Sequence, residues 1–246
     1  MNLETPKKFR GLVTQAHQVA ANYFRPISRK YDKAEHAYPQ ELDLLAALLD
    51  GMNAGSPDAI GATSASKRGA SAEQAAGNKN GGNLSALLGV MELCWGDVGL
   101  LLAMPRQGLG NAAIAAVANE EQLQRFKGSW AAMAITEPGC GSDSAAIRTT
   151  AIKDGEHYIL NGEKIFVTDS VVVWATLDKG LGRAAIKSFV VEHGTPGMSV
   201  TRLEKKLGIK ASDTAAISFI DCRVPAANLL GNPEIDVQKG FAGVME

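Results

Sequence analysis

The sequence has 246 residues, of which 46% are hydrophobic, and a formal net charge of −1 with a pI near 6.4. That amount of apolar material is enough for one large domain or two modest ones. The balanced charge gives no electrostatic reason to expect a nucleic acid or an anionic membrane as a partner.

The cysteines and the apolar runs indicate the cellular compartment of the protein. Cys94, Cys140 and Cys222 are an odd number of thiols without metal-ligand spacing, which predicts free cysteines in a reducing environment and no metal site. The longest apolar run, Val98 to Met104, is too short to span a membrane and contains Gly99. The basic N-terminus is not followed by an apolar signal core, so a cytoplasmic protein is expected.

The first part of the chain, residues 1–128, has the spacing of amphipathic helices. Leu42, Leu45 and Leu49 fall on one helical face. Asn119, with Gln122 three positions later, has the pattern of a capping box. We therefore predict a helical bundle with helices at Ala16–Tyr23, Glu41–Met52, Leu84–Trp95, Asp97–Met104, Gly110–Val117 and Asn119–Phe126.

A segment rich in Gly, Ala, Ser and Asn, residues 53–83, interrupts this helical part. It contains almost no large apolar residue, so it cannot bury enough surface to offset the entropy of ordering it. The composition predicts a mobile loop or linker, and a binding lid is the alternative.

The second part of the chain, residues 129–233, has the pattern of short strands. Asp154-Gly155 and Asn161-Gly162 are typical of hairpin turns, because both residue types tolerate positive φ. The expected class is α+β, with the helical bundle followed by an antiparallel β-sandwich or barrel; residues 234–246 begin a further helix. The predicted strands are Ala131–Thr136, Thr149–Lys153, His157–Leu160, Lys164–Thr168, Val171–Leu177, Ala185–Glu192, Met198–Leu203 and Ala216–Asp221.

The stretch Ala134-Ile-Thr-Glu-Pro-Gly-Cys-Gly-Ser-Asp143 is the strongest functional signal. It is a strand that ends in a tight turn with two glycines, a proline and small polar side chains. Such a turn lets backbone N–H groups approach a ligand closely, and Thr136 and Ser142 add hydroxyl groups. On turn chemistry alone an ordinary surface turn is the more frequent explanation.

Three motifs in the right order resemble the acyl-CoA dehydrogenase family. Thr136 to Asp143 resembles its flavin-binding signature, and Leu160-Asn-Gly-Glu-Lys-Ile-Phe-Val-Thr168 resembles its second signature. The third match is Lys206-Leu-Gly-Ile-Lys-Ala-Ser-Asp-Thr214, followed by Phe219 to Pro225 and Asn228 to Gly231. The resemblance covers most of the chain and is tightest from Trp130 to Gly231.

The resemblance implies a helical N-terminal domain, a middle β-domain and a C-terminal four-helix bundle, with FAD as the cofactor. It implies that Ser142 also lies beside the thioester–pantetheine channel, as a substrate-binding residue. Phe166 stands where the family more often has tryptophan, which keeps a stacking face and loses an indole donor. The cofactor-binding residues implied in this way are Met133, Ile135, Thr136, Gly141, Ser142, Phe166, Val167 and Thr168.

Two departures from the family pattern stand out. Only two residues separate Thr168 from Val171, where the family usually has a longer loop. The family's catalytic glutamate and C-terminal bundle correspond to positions beyond Glu246, so no catalytic residue is expected in this chain. Glu137 is not a candidate base. The 246-residue chain alone is therefore expected to be inactive, and to have a large apolar patch that is either exposed or covered by a partner.

The function implied by the resemblance is α,β-desaturation of an acyl-CoA thioester in fatty-acid or related acyl-chain degradation by an FAD-dependent acyl-CoA dehydrogenase. The expected partners are the acyl-CoA substrate, an electron-transfer flavoprotein or similar acceptor, and further copies or subunits in a homo- or hetero-oligomer. Two alternatives remain open: a non-catalytic subunit of a hetero-oligomeric dehydrogenase, and an oxidase-like flavoprotein that passes electrons to oxygen.

Overall fold

The computed structural model describes residues 4–53, 82–104, 109–126, 129, 131–167 and 170–235. The central part of the small polar segment 53–83, Thr168, and the predicted helix that begins near residue 234 lie wholly or largely outside these residues. No helix in the described ranges is long and apolar enough to cross a membrane.

The described chain divides into two compact units, and the first is helical. Its helices follow the predicted apolar periodicity, but the expected helix at Ala16–Tyr23 is part of a longer helical run that contains a five-residue π-type turn, Ala20–Phe24. The helices are α1 (Arg10–Val19), α2 (Arg25–Lys33), α3 (Glu41–Asn53), α4 (Gly82–Gly96) and α5 (Val98–Ala103).

A small apolar core holds these helices together. Phe24, Tyr31, Leu42 and Leu100 are all 3% exposed or less and pack in one cluster. Gly96 is required at the end of α4, because a Cβ there would lie 2.8 Å from the Cβ of Ala20. Backbone contact between these two helical segments therefore excludes larger residues at position 96.

Residues 205–213, which carry most of the third motif, belong to the helical unit. The Lys206 amide donates to Glu35 Oε1 at 2.8 Å, and the His36 ring lies 2.8 Å from Asp213 Oδ1. Ala211 joins the apolar cluster of this unit. The motif therefore lies among the strands in sequence, but in the fold it forms a loop of the helical unit.

The second unit is a seven-stranded sheet with helices α6 (Leu109–Val117) and α7 (Glu120–Arg125). The strand order is β1-β4-β2-β3-β7-β6, and β5 pairs with β4. The strands are β1 (Ala132–Ala134), β2 (Thr150–Asp154), β3 (His157–Val167), β4 (Val171–Thr176), β5 (Ile186–Val191), β6 (Met198–Leu203) and β7 (Ala215–Pro225).

The α+β class is confirmed, and the sheet is mixed. Four strand pairs are antiparallel, as the hairpin pattern predicted. Strand β1 instead pairs in parallel with β4, from Ala132 opposite Val171 to Ala134 opposite Val173. A parallel pair needs a long connection, and the intervening β2–β3 hairpin and the motif-bearing turn provide it.

Strand β4 is buried on both faces, which explains why its sequence is continuously apolar rather than alternating. Val171 and Val173 face one cluster, with Leu160, Phe189 and Phe219. Val172 and Trp174 face another cluster, which includes Ile114 of α6 and Phe126 at the end of α7.

The capping box of α7 is confirmed and ties the helix to the sheet unit. Asn119 Oδ1 accepts the Gln122 amide at 2.9 Å, and Gln122 Oε1 accepts the Asn119 amide at 3.2 Å. The Gln122 side chain also donates to the Leu229 carbonyl at 2.5 Å and accepts from the Gly231 amide at 3.0 Å. One side chain therefore caps the helix and holds the Asn228–Gly231 motif.

The hairpin expected at Asp154-Gly155 is confirmed, with Gly155 and Glu156 as its loop residues and Asp154 paired with His157, whereas the predicted turn at Asn161-Gly162 is wrong. Strand β3 continues through these residues, with a shift in its register against β7 between Leu160 and Gly162. Asn161 bonds across to Asp221, donating to its carboxylate at 3.2 Å and accepting its amide at 2.8 Å. The dipeptide thus forms a bulge rather than a hairpin.

Gly162 lies too close to Thr149 for a side chain. We expect Gly162→Ala to lower the free energy of unfolding by about 1–3 kcal/mol, because the new Cβ would lie 2.4 Å from Thr149 Oγ1. Gly89→Ala inside α4, where a Cβ meets nothing within 4 Å, should raise that free energy by about 0.5–1 kcal/mol. Chemical denaturation followed by circular dichroism measures both changes, and equal midpoints would contradict the crowding at Gly162.

Candidate functional site

The glycine-rich motif forms a closed turn directly after β1. The Glu137 amide donates to the Cys140 carbonyl at 3.0 Å, and the Cys140 amide donates to the Glu137 carbonyl at 3.1 Å. Gly141 and Ser142 follow on the exposed side, and a short 3₁₀ turn, Ser144–Ala146, leads the chain back toward β2. The turn therefore presents the backbone around Gly141 and Ser142 to solvent or to a ligand.

A buried ion pair holds the turn against β3. Lys164 Nζ lies 2.7 Å from Glu137 Oε1, with the lysine side chain 0% and the glutamate side chain 6% exposed. The same ammonium donates to the Ile135 carbonyl at 3.2 Å. A lysine on β3 thus contacts the motif both before and after Thr136.

Glu137 has further donors on its other side. Its Oε1 accepts from the Thr149 amide at 3.0 Å and from the Thr149 hydroxyl at 2.6 Å, and its Oε2 accepts from the Arg148 amide at 2.6 Å. With Lys164, these contacts satisfy both carboxylate oxygens. A carboxylate so enclosed anchors the turn and is unsuited to removing a proton from a substrate.

The pair has opposing effects on its two members. Burial alone would raise the pKa of Glu137, but the hydrogen bonds from Lys164 and Thr149 outweigh it and hold the pKa below its ordinary value of 4.5. Burial lowers the pKa of the Lys164 ammonium, although Glu137 acts in the opposite direction. Burial likewise raises the pKa of the neighbouring Cys140 thiol, which makes that cysteine a poor nucleophile.

Strand β3 carries an exposed aromatic residue beside this anchor. The Ile165 amide donates to the Thr136 carbonyl at 2.9 Å. The next residue, Phe166, lies in a bulge against β7 with φ of 67° and is 62% exposed. A non-glycine residue in this backbone region costs about 1–3 kcal/mol and is common where a ligand is held. The strain keeps an aromatic ring in solvent next to the motif.

The space beside the turn is open enough for a planar ligand. A Cβ built on Gly139 meets nothing within 4 Å, and one on Gly141 meets only Thr136 Cγ2 at 4.0 Å. Among the described residues, the Thr136 amide has no hydrogen-bond partner. Glycines without close neighbours, an N–H donor that has no described partner and an exposed aromatic ring suit the flat face and polar edge of a flavin.

The predicted cofactor residues fall into two groups in the structure. Thr136, Gly141 and Ser142 lie on the turn, and Phe166 follows Ile165, whose amide donates to the Thr136 carbonyl. The side chains of Met133 and Ile135 are half-buried and pack against the cluster under α6 and α7. Thr168 and the side chain of Val167 lie outside the described part of the chain. The roles given to all eight residues stay predictions.

Sequence reasoning missed Lys164 and Thr149 as parts of the site. The available signal was that Lys164 lies inside a predicted strand, where alternate residues face the core. A lysine that faces the core needs a buried carboxylate as its partner. Glu137 is the nearest carboxylate in the motif, but the sequence separation of 27 positions between the two gives no distance information.

Comparison with known proteins agrees with the motifs. The family model for the acyl-CoA dehydrogenase middle domain matches residues 132–222. Acryloyl-CoA reductase (NADH) of Anaerotignum propionicum is 33% identical over 250 aligned residues, which cover 94% of this chain and 57% of that protein.

Two solved structures have the same fold. Butyryl-CoA dehydrogenase from Megasphaera elsdenii has a TM-score of 0.73 and 28% identity, over 100% of this chain and 63% of that one. An acyl-CoA dehydrogenase from Bacillus anthracis in complex with FAD has a TM-score of 0.72 and 27% identity, over 98% of this chain and 40% of that one. The chain therefore spans less than two thirds of the length of each of these proteins.

A helical unit and a mixed sheet in one chain, with the motif-bearing turn after the first strand, define an acyl-CoA dehydrogenase-like fold. Residues 132–222 match the middle domain of the acyl-CoA dehydrogenase family, so the resemblance that the three motifs predicted is confirmed.

Glu137→Ala tests the anchoring role of the ion pair. It leaves the Lys164 ammonium buried without its carboxylate, so we expect the free energy of unfolding to fall by about 3–5 kcal/mol. Asp154→Ala is the control, because it breaks the exposed Asp154–Arg223 pair of 2.6 Å in the same sheet and should change little. Similar urea midpoints for the two variants would show that the buried Glu137–Lys164 pair contributes no more to the free energy of unfolding than an exposed pair does.

The ion pair also predicts a pH dependence. Because the folded-state pKa of Glu137 is below 4.5, its ionisation stabilises the native state fully above that pH. This stabilisation is lost as the pH falls from 4.5 through the lower folded-state value. Glu137→Gln should therefore flatten the stability profile on the acid side, measured by urea unfolding at a series of pH values. Parallel profiles for the two proteins would contradict the lowered pKa.

Proposed function

We propose that this chain is the flavin- and acyl-CoA-binding part of an FAD-dependent acyl-CoA dehydrogenase, an oxidoreductase that introduces an α,β double bond into an acyl-CoA thioester. The observation that carries the proposal is that the turn at Thr136–Ser142, whose glycines have no close neighbours, is bonded to β3 directly beside the exposed residue Phe166. The match to the family's middle domain and the FAD complex of the Bacillus anthracis relative support FAD as the ligand at this turn.

The proposed roles of the chain's own residues are to bind and to orient. Phe166 offers an apolar face for the isoalloxazine ring, and the Thr136 amide offers a donor to the ring's polar edge. The backbone at Gly141 approaches the cofactor or the pantetheine without a side chain, and Ser142 offers a hydroxyl to the substrate. When bound, FAD supplies the acceptor for the β-hydride of the substrate.

The base that removes the α-proton is proposed to lie outside these 246 residues. Glu137, which lies in the motif, is ruled out as that base by its enclosure, because both of its oxygens accept hydrogen bonds from neighbouring groups.

A basic cavity next to the motif supports a nucleotide-bearing thioester as the substrate. The 3₁₀ turn that follows Ser142 lines a cavity of about 220 Å³, together with Arg148, Lys179 and Gly182. None of the described residues that line it is acidic. Two cations with small neighbours suit the phosphate groups of coenzyme A, so we assign the nucleotide end of the substrate to this cavity.

Two other functions are kept because specific relatives favour them. The relative that aligns with 94% of the chain is named a reductase, which is the same chemistry in the opposite direction. An acyl carrier protein oxidase shares the fold with a TM-score of 0.73 and 26% identity. The same proposal includes an electron-transfer flavoprotein or similar protein as the electron acceptor. It also includes assembly of the chain into a homo- or hetero-oligomer.

The deciding experiment is to purify the native protein and measure its flavin absorbance, followed by turnover with a series of acyl-CoA thioesters. We expect flavin to co-purify and an artificial acceptor to be reduced, with little oxygen uptake and no NADH-dependent reduction of enoyl-CoA. Phe166→Ala should weaken flavin binding about tenfold through loss of the stacking face. Ile220→Ala, which removes another exposed apolar side chain from the sheet, is the matched control.

Each alternative has its own outcome in that experiment. Oxygen uptake favours the oxidase, NADH-dependent reduction favours the reductase, and turnover that requires a second protein favours the non-catalytic subunit. A colourless native protein that takes up no added FAD refutes the cofactor assignment.

A further inference from the structure

The peptide between Ile135 and Thr136 is fixed by a charged donor at its carbonyl, and its N–H has no partner among the described residues. Its carbonyl accepts from Lys164 Nζ at 3.2 Å, and the next carbonyl, that of Thr136, accepts from the Ile165 amide at 2.9 Å. The peptide is trans, so its N–H group, which belongs to Thr136, points away from the lysine.

We propose that Lys164 is a positioning residue that orients and polarises this peptide, so that the Thr136 N–H becomes a strong, fixed donor to the polar edge of the flavin ring. This inference rests on the flavin site proposed above and deepens it. It assigns to a fully buried residue, which does not itself touch the cofactor, control over the tendency of the flavin to accept electrons.

The physical basis is the coupling of hydrogen bonds through one amide. A positive donor at the carbonyl oxygen draws electron density from the nitrogen, so the N–H group at the other end becomes a better donor. A donor near the N1–C2=O or N5 region of a flavin stabilises the charge that develops on reduction. Because the donor is already oriented, no reorganisation is needed when that charge appears.

The lysine cannot act through its net charge alone. Its ammonium lies 2.7 Å from the Glu137 carboxylate, so the pair as a whole is neutral and its field falls off rapidly with distance. The direct contact with the Ile135 carbonyl is the remaining route to the open space. The two explanations can be separated, because a double substitution removes both charges and leaves the net charge unchanged.

A structural role alone also gives a weak reason for the pair. Replacing a buried ion pair by uncharged groups of similar size is often neutral or stabilising, whereas removal of one partner is strongly destabilising. Lys164→Met by itself is therefore expected to unfold the protein, or nearly so. Lys164→Met combined with Glu137→Gln leaves no buried charge, and the amide oxygen introduced by the second substitution can still accept from the Thr149 amide.

The test is to compare the reduction potential and visible spectrum of bound flavin in native protein and in the Lys164→Met/Glu137→Gln variant. We expect the double variant to fold and to bind flavin. Its preference for reduced over oxidised flavin should fall about tenfold, the equivalent of one ordinary hydrogen bond. For a two-electron couple this is a potential about 30 mV more negative.

Lys187→Met is the matched control. This lysine lies on β5 and donates to the carbonyls of Asn232 and Glu234 at 3.0 and 2.7 Å, so its removal deletes a lysine–carbonyl contact elsewhere in the same sheet unit. Its flavin potential and spectrum should match those of the native protein. A folded double variant with native potential and native spectrum would overturn the proposal.

Failure of the flavin assignment itself is distinguishable. If the native protein binds no flavin, the cofactor proposal fails, and the positioning claim is then decided by the ¹⁵N–¹H resonance of Thr136 in flavin-free protein. A change in that resonance in the double variant, but not in Lys187→Met, supports positioning by Lys164. An unchanged Thr136 resonance overturns it.

Discussion

The buried contact between Lys164 and Glu137 is the interaction on which the candidate site depends. Strand β1 is only three residues long, so its own ladder bonds hold the following turn weakly. The ammonium spans the gap between β3 and the turn and contacts residues on either side of Thr136. Without it, the Ile165–Thr136 backbone bond would be the remaining link between the turn and β3 that the described contacts give, beside the bonds of Arg148 and Thr149 to Glu137.

Local chemistry made much of the fold predictable from the sequence. The capping box at Asn119, the hairpin at Asp154-Gly155 and most helices before residue 128 depend on neighbours in sequence and were found close to where the patterns placed them. The exception is the expected helix Ala16–Tyr23, which is part of a longer helical run, and the following helix α2 was not predicted. The expected turn at Asn161-Gly162 was wrong because tertiary contacts prevailed: pairing with Asp221 and the close approach of Thr149 hold the dipeptide in a strand.

The site was less predictable than the fold, for a related reason. The turn motif was recognisable from its glycines and hydroxyl groups, and the resemblance to a family gave the expected ligand. The residues that anchor the turn were not recognisable, because Lys164, Thr149 and Glu137 come from three segments that only the sheet brings together. The left-handed backbone of Phe166 was equally invisible, since aromatic residues do not favour that conformation and a bulge in the β3–β7 ladder imposes it.

The parallel pairing of β1 with β4 also has a consequence for the order of folding. The β2–β3 hairpin joins residues close in sequence, whereas Ala132 meets Val171 only after a loop of roughly forty residues has closed, a slow step by contact-order reasoning. We therefore expect β1, and the motif-bearing turn attached to it, to dock late onto a sheet that has already formed. In a nascent or partly unfolded chain, the candidate site would be the last part assembled and the first to come apart.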